Sequence, residues 1–183
     1  MGIDEVTRAV FLDRDGVLNQ SVVRHGTPHP PAGLDELAIY PDASEALRRL
    51  KQAGYLLIVV TNQPDIARGT ETRAAVDRIN AAIGAALPID EFLVCAHDDA
   101  ENCPCRKPKP GLVLEAAAHH GVDLKQSFLI GDRWRDIDCG ASAGVRTVLI
   151  DRGYRERAPD HAPDFVAESL GAAADWILDG NPA

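Results

Sequence analysis

The sequence has little positive charge relative to its acids. It carries 19 Lys and Arg residues against 28 Asp and Glu residues, for a formal net charge of −9. Because such a chain has no basic surface to attract nucleic acid or an anionic membrane, we expect neither partner. No apolar run approaches the ~20 residues that a membrane span requires. Residues 1–5 also lack the basic and apolar regions of a signal peptide, so we expect a cytoplasmic protein.

The sequence also lacks internal repeats, low-complexity segments and an interdomain linker. At 183 residues, with 45% hydrophobic and 26% charged residues, it has the composition of a globular protein. We therefore predict one domain that covers residues 1–183. Since stable disulfides are rare in the cytoplasm, the four cysteines require another explanation.

Short apolar runs alternate with helix-like segments along the chain. Five strands are predicted, at residues 9–12, 55–60, 92–95, 127–132 and 146–150. The helices between and after them are predicted to start near Asp42, after an N-cap at Thr70, at Gly111, at Asp136 and at Ser169. Residues 20–40 and 96–110 are predicted as loops. This alternation favours an α/β fold with a mostly parallel sheet and helices on both faces.

Polar residues follow three of the predicted strands. The first strand ends in Asp13-Arg14-Asp15-Gly16, the second in Thr61-Asn62, and the fourth in Asp132. An Asp-Gly pair alone is a common turn signal. However, parallel strands bring their carboxyl ends to one edge of the sheet, where ligands of α/β proteins bind. A functional site at this edge is therefore the better interpretation of the five polar groups.

These residue types suit phosphoryl transfer. A carboxylate such as Asp13 can attack phosphorus to form an aspartyl-phosphate. Asp15, two residues later, can protonate the leaving oxygen and then activate water. Because two anions would repel phosphate, a cation is required. Asp13, Asp132 and the backbone carbonyl of Asp15 offer oxygen ligands that suit Mg²⁺.

Two further side chains can stabilise the transferred phosphate. Thr61 can donate a hydrogen bond to it, and Lys107 can neutralise charge in the transition state. Lys107 could be an ordinary surface lysine, but it lies in Cys105-Arg106-Lys107-Pro108-Lys109-Pro110, where two prolines restrict the backbone. Asp136, four residues after Asp132, is expected either to join the metal site or to hold Lys107.

A second cluster suits zinc. Three thiols and one imidazole occur within eleven residues, at Cys95, His97, Cys103 and Cys105. Free thiols and a surface histidine are the alternative, but two ligand pairs across a short loop favour a tetrahedral zinc site without an open catalytic position. Such a site would order the loop and aim the lysine motif at the phosphate. Cys139 is predicted to lie in the core.

Together these motifs resemble the haloacid dehalogenase (HAD) superfamily. Its four motifs appear in order, as Asp13-Arg14-Asp15-Gly16, Thr61, Lys107 and Gly131-Asp132-Arg133-Trp134-Arg135-Asp136. The resemblance implies a three-layer Rossmann-like fold with sheet order 5-4-1-2-3. It also implies a Mg²⁺-dependent phosphatase that acts through an aspartyl-phosphate. Residues 20–40 are too few for a cap domain, and the second possible insertion site holds only one helix, one strand and the zinc loop. We therefore expect an open site and a monomer.

The zinc loop resembles a subgroup that contains D-glycero-D-manno-heptose-1,7-bisphosphate 7-phosphatases and histidinol-phosphate phosphatases. By this resemblance Asn62, Gln63 and Arg106 would contact the substrate. Pro64-Asp65 replaces the Ser-Gly that usually follows Thr-Asn-Gln in the heptose enzymes. The residue after Gly-Asp, often lysine in those enzymes, is Arg133 here, which resembles the sequence of the histidinol-phosphate phosphatases. A heptose bisphosphate is the expected substrate, with histidinol phosphate or another sugar phosphate as alternatives. A non-catalytic, zinc-stapled phosphate-binding module is the alternative class.

Overall fold

The computed structural model describes residues 6–24 and 27–180. Residues 1–5, on which the expectation about a signal peptide depends, lie outside them. The strands are β1 (Arg8–Leu12), β2 (Val22–Arg24), β3 (Thr27–His29), β4 (Tyr55–Asn62), β5 (Glu91–Cys95), β6 (Phe128–Gly131), β7 (Arg146–Ile150) and β8 (Phe165–Ala167). The α-helices are α1 (Ala43–Gln52), α2 (Arg73–Ala86), α3 (Gly111–His120), α4 (Trp134–Ala143) and α5 (Leu170–Leu178).

Six strands form a parallel sheet in the order β5-β4-β1-β6-β7-β8. The central strand is β1, where Val10 pairs with Leu57 on one side and with Phe128 on the other. The five predicted strands follow the expected order 5-4-1-2-3. The short strand β8 extends this sheet beyond β7 and was not predicted.

Side chains from the sheet form two apolar cores. Alternate residues of β1 point to opposite faces, so Val10 and Leu12 join one core while Ala9 and Phe11 join the other. Helices α1, α2 and α5 cover the first face, and α3 and α4 cover the second. The predicted three-layer α/β fold is therefore confirmed.

Four local predictions need correction. The N-cap of α2 is Thr72, whose hydroxyl accepts a hydrogen bond from the Ala75 N–H at 3.1 Å, and not Thr70. Helix α4 starts at Trp134, two residues early, and Thr61 and Asn62 lie within β4 rather than after it. The segment predicted as a loop after β1 contains the antiparallel pair β2–β3.

The carboxyl edge of the sheet is left open. The connection from β1 to α1 holds only the β2–β3 pair, and the connection from β4 to β6 holds α2, β5, α3 and the loop that carries the cysteines. Within the described residues, no cap domain covers this edge. None of the described helices is long and apolar enough to cross a membrane. That residues 1–183 form a single domain stays a prediction.

Candidate active site

The site lies at the carboxyl ends of the three central strands. Asp13 follows β1, Thr61 is the penultimate residue of β4, and Asp132 follows β6. The Asp13 backbone N–H donates to the Ile130 carbonyl at 3.0 Å, which fixes the end of β1 against β6. All three functional side chains are buried. The sheet topology thus brings together residues that are more than a hundred positions apart in the sequence.

Lys107 lies at the centre of the site. Its Nζ atom donates to Asp13 Oδ1 at 2.7 Å, to Asp136 Oδ1 at 2.6 Å and to the Val60 carbonyl at 2.8 Å. Burial alone would lower the pKa of Lys107, but Asp13 and Asp136 raise it well above its usual value. The lysine is therefore a fixed positive charge. Of the two roles expected for Asp136, the structure shows the contact with Lys107.

The carboxylates compete for this single ammonium group. Burial raises the pKa of Asp13 to about 6 against the opposing effect of Lys107, with added repulsion from Asp136 and Asp15. Burial and the charge of Asp13 also raise the pKa of Asp132 well above its usual value. One lysine leaves the site with an excess of negative charge, which a divalent cation would balance.

The acidic cluster fits Mg²⁺. Carboxylate oxygens of Asp13, Asp132 and Asp136 lie within 4.8 Å of one another. Asp132 Oδ1 is buried and has no hydrogen-bond partner among the described residues. Gly16 has a φ of +88°, and a Cβ atom there would lie 1.8 Å from Asp132 Oδ2. Asp132 thus packs closely against the turn, and its Oδ1 atom is a hard oxygen donor without a hydrogen-bond partner in the described chain, which is the ligand type that Mg²⁺ prefers.

Asp15 is held by three side chains. Asn19 Nδ2 donates to Oδ1 and Gln63 Nε2 donates to Oδ2, both at 2.9 Å. Arg14 donates from Nε at 3.2 Å and forms an ion pair at 3.1 Å. Arg14 is itself fully buried and anchored to Asn80 Oδ1 at 2.9 Å. These donors fix the carboxylate two residues from Asp13.

The structure places Gln63 differently from the expected substrate contact. Its side chain is buried, with the residue only 2% exposed, and its amide donates to Thr61 Oγ1 at 3.0 Å as well as to Asp15. It therefore lies behind the reacting groups rather than on the wall of the pocket. These contacts suit a residue that positions Thr61 and Asp15, and a direct contact of Gln63 with substrate stays a prediction.

Asn62 connects β4 to the loop that carries Lys107. Its Oδ1 accepts from the Lys107 backbone N–H at 3.1 Å, and its Nδ2 donates to the Lys107 carbonyl at 3.0 Å. Asn62 also lines the pocket. Any contact that it makes with substrate would thus be coupled to the placement of the lysine.

A cavity of about 310 Å³ opens above these groups. Four arginines line it, namely Arg68, Arg106, Arg133 and Arg135. Arg106 Nε donates to Asp99 at 2.7 Å, and Arg135 approaches the same carboxylate at 3.4 Å. Arg133 pairs with Glu156. The predicted residues Arg106 and Arg133 therefore reach the pocket, and their cationic groups suit an anionic ligand.

The four predicted zinc ligands converge on one point. Their ligand atoms lie within 4.8 Å of one another, and the pairs of sulfur atoms are 3.3–3.7 Å apart. His97 Nδ1 lies 3.2 Å from Cys105 Sγ and 3.6 Å from Cys95 Sγ. Tetrahedral zinc with bonds of about 2.3 Å places sulfur atoms about 3.8 Å apart. The donor set and its spacing fit structural zinc.

Comparison with known proteins agrees with this geometry. A family model described as HAD-hydrolase-like matches residues 104–173. The D-glycero-D-manno-heptose-1,7-bisphosphate 7-phosphatase of Thermosynechococcus vestitus is 34% identical, over 92% of this chain and 94% of the relative. The corresponding enzyme of Escherichia coli is 34% identical, over 93% of this chain and 88% of the relative. This chain belongs to that HAD phosphatase family.

A solved structure shows the same fold. The D,D-heptose 1,7-bisphosphate phosphatase of B. bronchiseptica, in complex with magnesium and phosphate, matches with a TM-score of 0.80 and 30% identity. The match covers 96% of this chain and 99% of that one. A HAD-like phosphatase of Mesorhizobium loti matches with a TM-score of 0.77 and 29% identity, over 97% and 89% of the two chains.

The sequence analysis did not predict that the loop between β7 and β8 lies near the site. The segment between β7 and β8 contacts the site at three points. Arg152 Nε donates to the Gly16 carbonyl at 2.9 Å, the Tyr154 hydroxyl interacts with the side chain of Asp132, and Glu156 pairs with Arg133. Burial raises the pKa of Tyr154 to about 12, so its hydroxyl remains a donor. No motif in this segment indicates such contacts, because they depend on tertiary packing alone.

Proposed function

We propose that this chain is a phosphatase that removes the 7-phosphate of D-glycero-D-manno-heptose 1,7-bisphosphate through an aspartyl-phosphate on Asp13. The observation that carries this proposal is the position of Asp13, which contacts Lys107 at 2.7 Å beside an Asp15 that three donors hold in place. Family membership supports the same reaction and supplies the sugar, since the relatives above are named for this activity.

In the proposed reaction, the free carboxylate oxygen of Asp13 attacks phosphorus. The bond from phosphorus to the sugar oxygen breaks, and Asp15 gives its proton to that leaving oxygen. A water molecule then attacks the aspartyl-phosphate and passes a proton to Asp15. This second step releases inorganic phosphate and restores both carboxyl groups.

Charge around the phosphate is stabilised by the protein. The Lys107 ammonium and the Thr61 hydroxyl offer donors toward the phosphoryl oxygens. Asp13, Asp132 and the backbone carbonyl of Asp15 would hold Mg²⁺, which when bound offsets the charge of the phosphate and the carboxylates. The cysteine and histidine cluster would hold zinc with four protein ligands, a structural arrangement.

The rim of the pocket favours a substrate with a second anionic group. The partly exposed side chains of Arg68, Arg133 and Arg135 form this rim, Arg106 also lines the cavity, and the reacting groups Asp13 and Lys107 are buried. This arrangement suits a sugar that carries phosphate at both ends. Histidinol phosphate is the second candidate, because Asp65 and Asp99 on the same rim could pair with its amine.

We further propose a monomer in the cytoplasm with no nucleic acid or membrane partner. The set of side chains that the proposed reaction requires is complete without a residue from a second copy. None of the four cysteines forms a disulfide in the described chain, which suits a reducing compartment. The net charge of −9 offers little attraction for polyanions.

The test is phosphate release from heptose 1,7-bisphosphate, histidinol phosphate and a panel of sugar phosphates, with Mg²⁺ or with EDTA. We expect Mg²⁺-dependent release with the highest kcat/KM for the heptose bisphosphate. A preference for histidinol phosphate would overturn the substrate while keeping the reaction. No release from any compound would favour the phosphate-binding module.

The nucleophile is tested by Asp13→Asn. Since the amide cannot form the acyl phosphate, we expect turnover to fall by a factor of about a thousand or more. The matched control is Asp77→Asn, an exposed carboxylate on α2, which should keep full activity. Substantial activity in a folded Asp13→Asn protein would refute the assignment.

A further inference from the structure

A third cluster of metal-ligating side chains lies away from the site and from the zinc loop. Glu91 is the first residue of β5, and His119 and His120 are the last two residues of α3. Helix α3 returns across the face of the sheet, so its carboxyl end meets the start of the edge strand β5. Glu91 pairs with Ile58 of β4, which in turn pairs with Phe11 of β1, so the cluster lies on the outer strand of the sheet, two strands away from the strand that Asp13 follows.

The two histidine rings are turned toward the same carboxylate. His120 Nε2 lies 2.8 Å from Glu91 Oε2, and His119 Nδ1 lies 3.9 Å from Glu91 Oε1. Their rings stack at 4.6 Å with an interplanar angle of 21°. Consecutive helical residues normally diverge by about 100° around the axis. Here both rings instead face one acid.

A hydrogen bond explains only part of this arrangement. The contact between His120 and Glu91 is a good hydrogen bond, but 3.9 Å is too long for a second one from His119. Two ligand atoms that each lie about 2.1 Å from a shared metal can be separated by up to about 4.2 Å. All three ligand atoms lie within 4.8 Å of one another. The cluster is therefore close to the spacing of a three-ligand metal site.

The surroundings also favour a cation. The carboxyl end of a helix carries partial negative charge, and α3 ends at this point with Gly121 as its cap. Two imidazoles and one carboxylate suit Zn²⁺, Ni²⁺ or Cu²⁺, whereas Mg²⁺ and Ca²⁺ prefer oxygen ligands alone. His119 is 70% exposed, so water can complete the coordination shell.

We propose that Glu91, His119 and His120 form a second transition-metal site that joins the end of α3 to the edge strand β5. It takes a borderline divalent ion with three protein ligands and open positions for water. This proposal does not depend on the phosphatase activity. With fewer ligands and no thiolates, the site binds more weakly than the cysteine cluster.

The test uses protein loaded with zinc at the cysteine cluster and kept in excess Mg²⁺, so that both other sites are occupied. Ni²⁺ is titrated by calorimetry, and bound metal is measured after equilibrium dialysis. We expect one additional equivalent in the wild type. That equivalent should be lost in His120→Ala and weakened by at least tenfold in Glu91→Gln and His119→Ala.

The matched control is Glu115→Gln, which removes an exposed carboxylate from the same helix. It should bind Ni²⁺ as the wild type does. Thermal unfolding provides a second readout, because Ni²⁺ should raise the Tm of the wild type but not that of His120→Ala. The proposal is overturned if the wild type takes up no additional equivalent, or if the folded Glu91 and histidine variants bind as well as the control.

Discussion

Asp15 shows how the site is organised at the scale of single residues. In the proposed reaction it gives a proton to the sugar oxygen in the first step and takes one from the attacking water in the second, so its carboxyl group has to face the same side of the phosphorus in both steps. Arg14, Asn19 and Gln63 all donate to it, and none of these three lines the pocket. The orientation of the Asp15 carboxylate is thus set by three side chains that lie outside the pocket.

Gln63→Ala tests this role. We expect kcat to fall by about tenfold to a hundredfold with KM nearly unchanged, because the variant loosens Asp15 and Thr61 without removing a substrate contact. Steady-state kinetics on the preferred substrate separates the two parameters. A large rise in KM with normal kcat would instead support the contact with substrate that the family resemblance implied. Gln126→Ala, at a distant and exposed position, is the control.

At this scale, sequence reasoning found the charged groups but not their supports. Asp13, Asp15, Asp132 and Lys107 lie in short motifs whose spacing carries chemical meaning. Tyr154 and Asn80 reach the site only through tertiary packing, from segments without a motif. The burial of Arg14 and Gln63 also depends on which neighbours surround them, and local spacing does not encode that.

The segment that carries the four cysteine and histidine ligands also carries Lys107. Cys105 lies two residues before the lysine, and the loop between β5 and α3 has only one short 3₁₀ turn, Asp99–Glu101, among its regular elements. Four ligands at one point would therefore replace the hydrogen bonds of a regular element in ordering this segment.

Zinc removal tests this dependence. We expect about one zinc per chain in protein purified without chelator. Stripping it and then restoring Mg²⁺ alone should lower kcat/KM by about a hundredfold, since Lys107 and Arg106 lose their fixed positions. Cys103→Ala should reproduce the loss, whereas Cys139→Ala, outside the cluster, should retain zinc. Full activity in zinc-free protein would contradict the positioning role.

The segment between β7 and β8 also contributes to the site, and residues of α4 outside the pocket hold it in place. Asp138 on α4 anchors it by accepting from the backbone N–H groups of Asp160 and His161 at 2.8 and 3.1 Å and from Arg157 at 3.1 Å. Arg157 also stacks on Trp134, 3.6 Å from the ring centroid. These contacts hold the segment that carries Arg152, Tyr154 and Glu156.

Asp138→Asn should release this segment. We expect the free energy of unfolding to fall by about 1–3 kcal/mol, because charge-assisted hydrogen bonds to a buried carboxylate are lost. Amide exchange in residues 151–161 should quicken before exchange in the sheet does. Asp160→Asn, which removes only an exposed ion pair, should cost less than about 1 kcal/mol. Equal protection of the segment in both variants would argue against the anchor.

The elements themselves were largely predictable, and the exceptions have physical causes. Apolar runs of four to six residues and the glycines at positions 54, 121 and 144 mark the strands and helix ends well. Strand β8 was missed because three residues carry too little periodicity. The β2–β3 pair was missed because Pro28 and the short strands resemble a loop. Thr70 and Thr72 are equivalent as caps until the helix start is known.

At the scale of the whole molecule, charge is distributed unequally over the sheet. Four acids, Asp13, Asp15, Asp132 and Asp136, lie at the carboxyl edge, and Lys107 is the cation that contacts two of them in the described chain. The rest of the fold, with its two apolar cores, must offset this repulsion. Such a cost at a functional site is typical of enzymes, where activity and stability oppose each other.

Asp132→Asn tests whether the acidic residues that the activity requires lower the stability of the metal-free protein. Burial raises the pKa of Asp132 well above its usual value, so the charged form of this carboxyl group opposes folding of the metal-free protein. An amide of the same shape removes that charge. We expect the metal-free variant to be more stable by about 1 kcal/mol or more, with a Tm about 2–4 °C higher for each kcal/mol. Mg²⁺ should raise the Tm of the wild type and leave that of the variant unchanged, because the variant lacks a ligand.

Asp164→Asn, a carboxylate away from the site that accepts from the Thr147 N–H, should show neither effect. A metal-free Asp132→Asn protein less stable than the wild type would mean that the hydrogen bond from Tyr154 outweighs the repulsion, and that the acidic edge is stabilised without a cation.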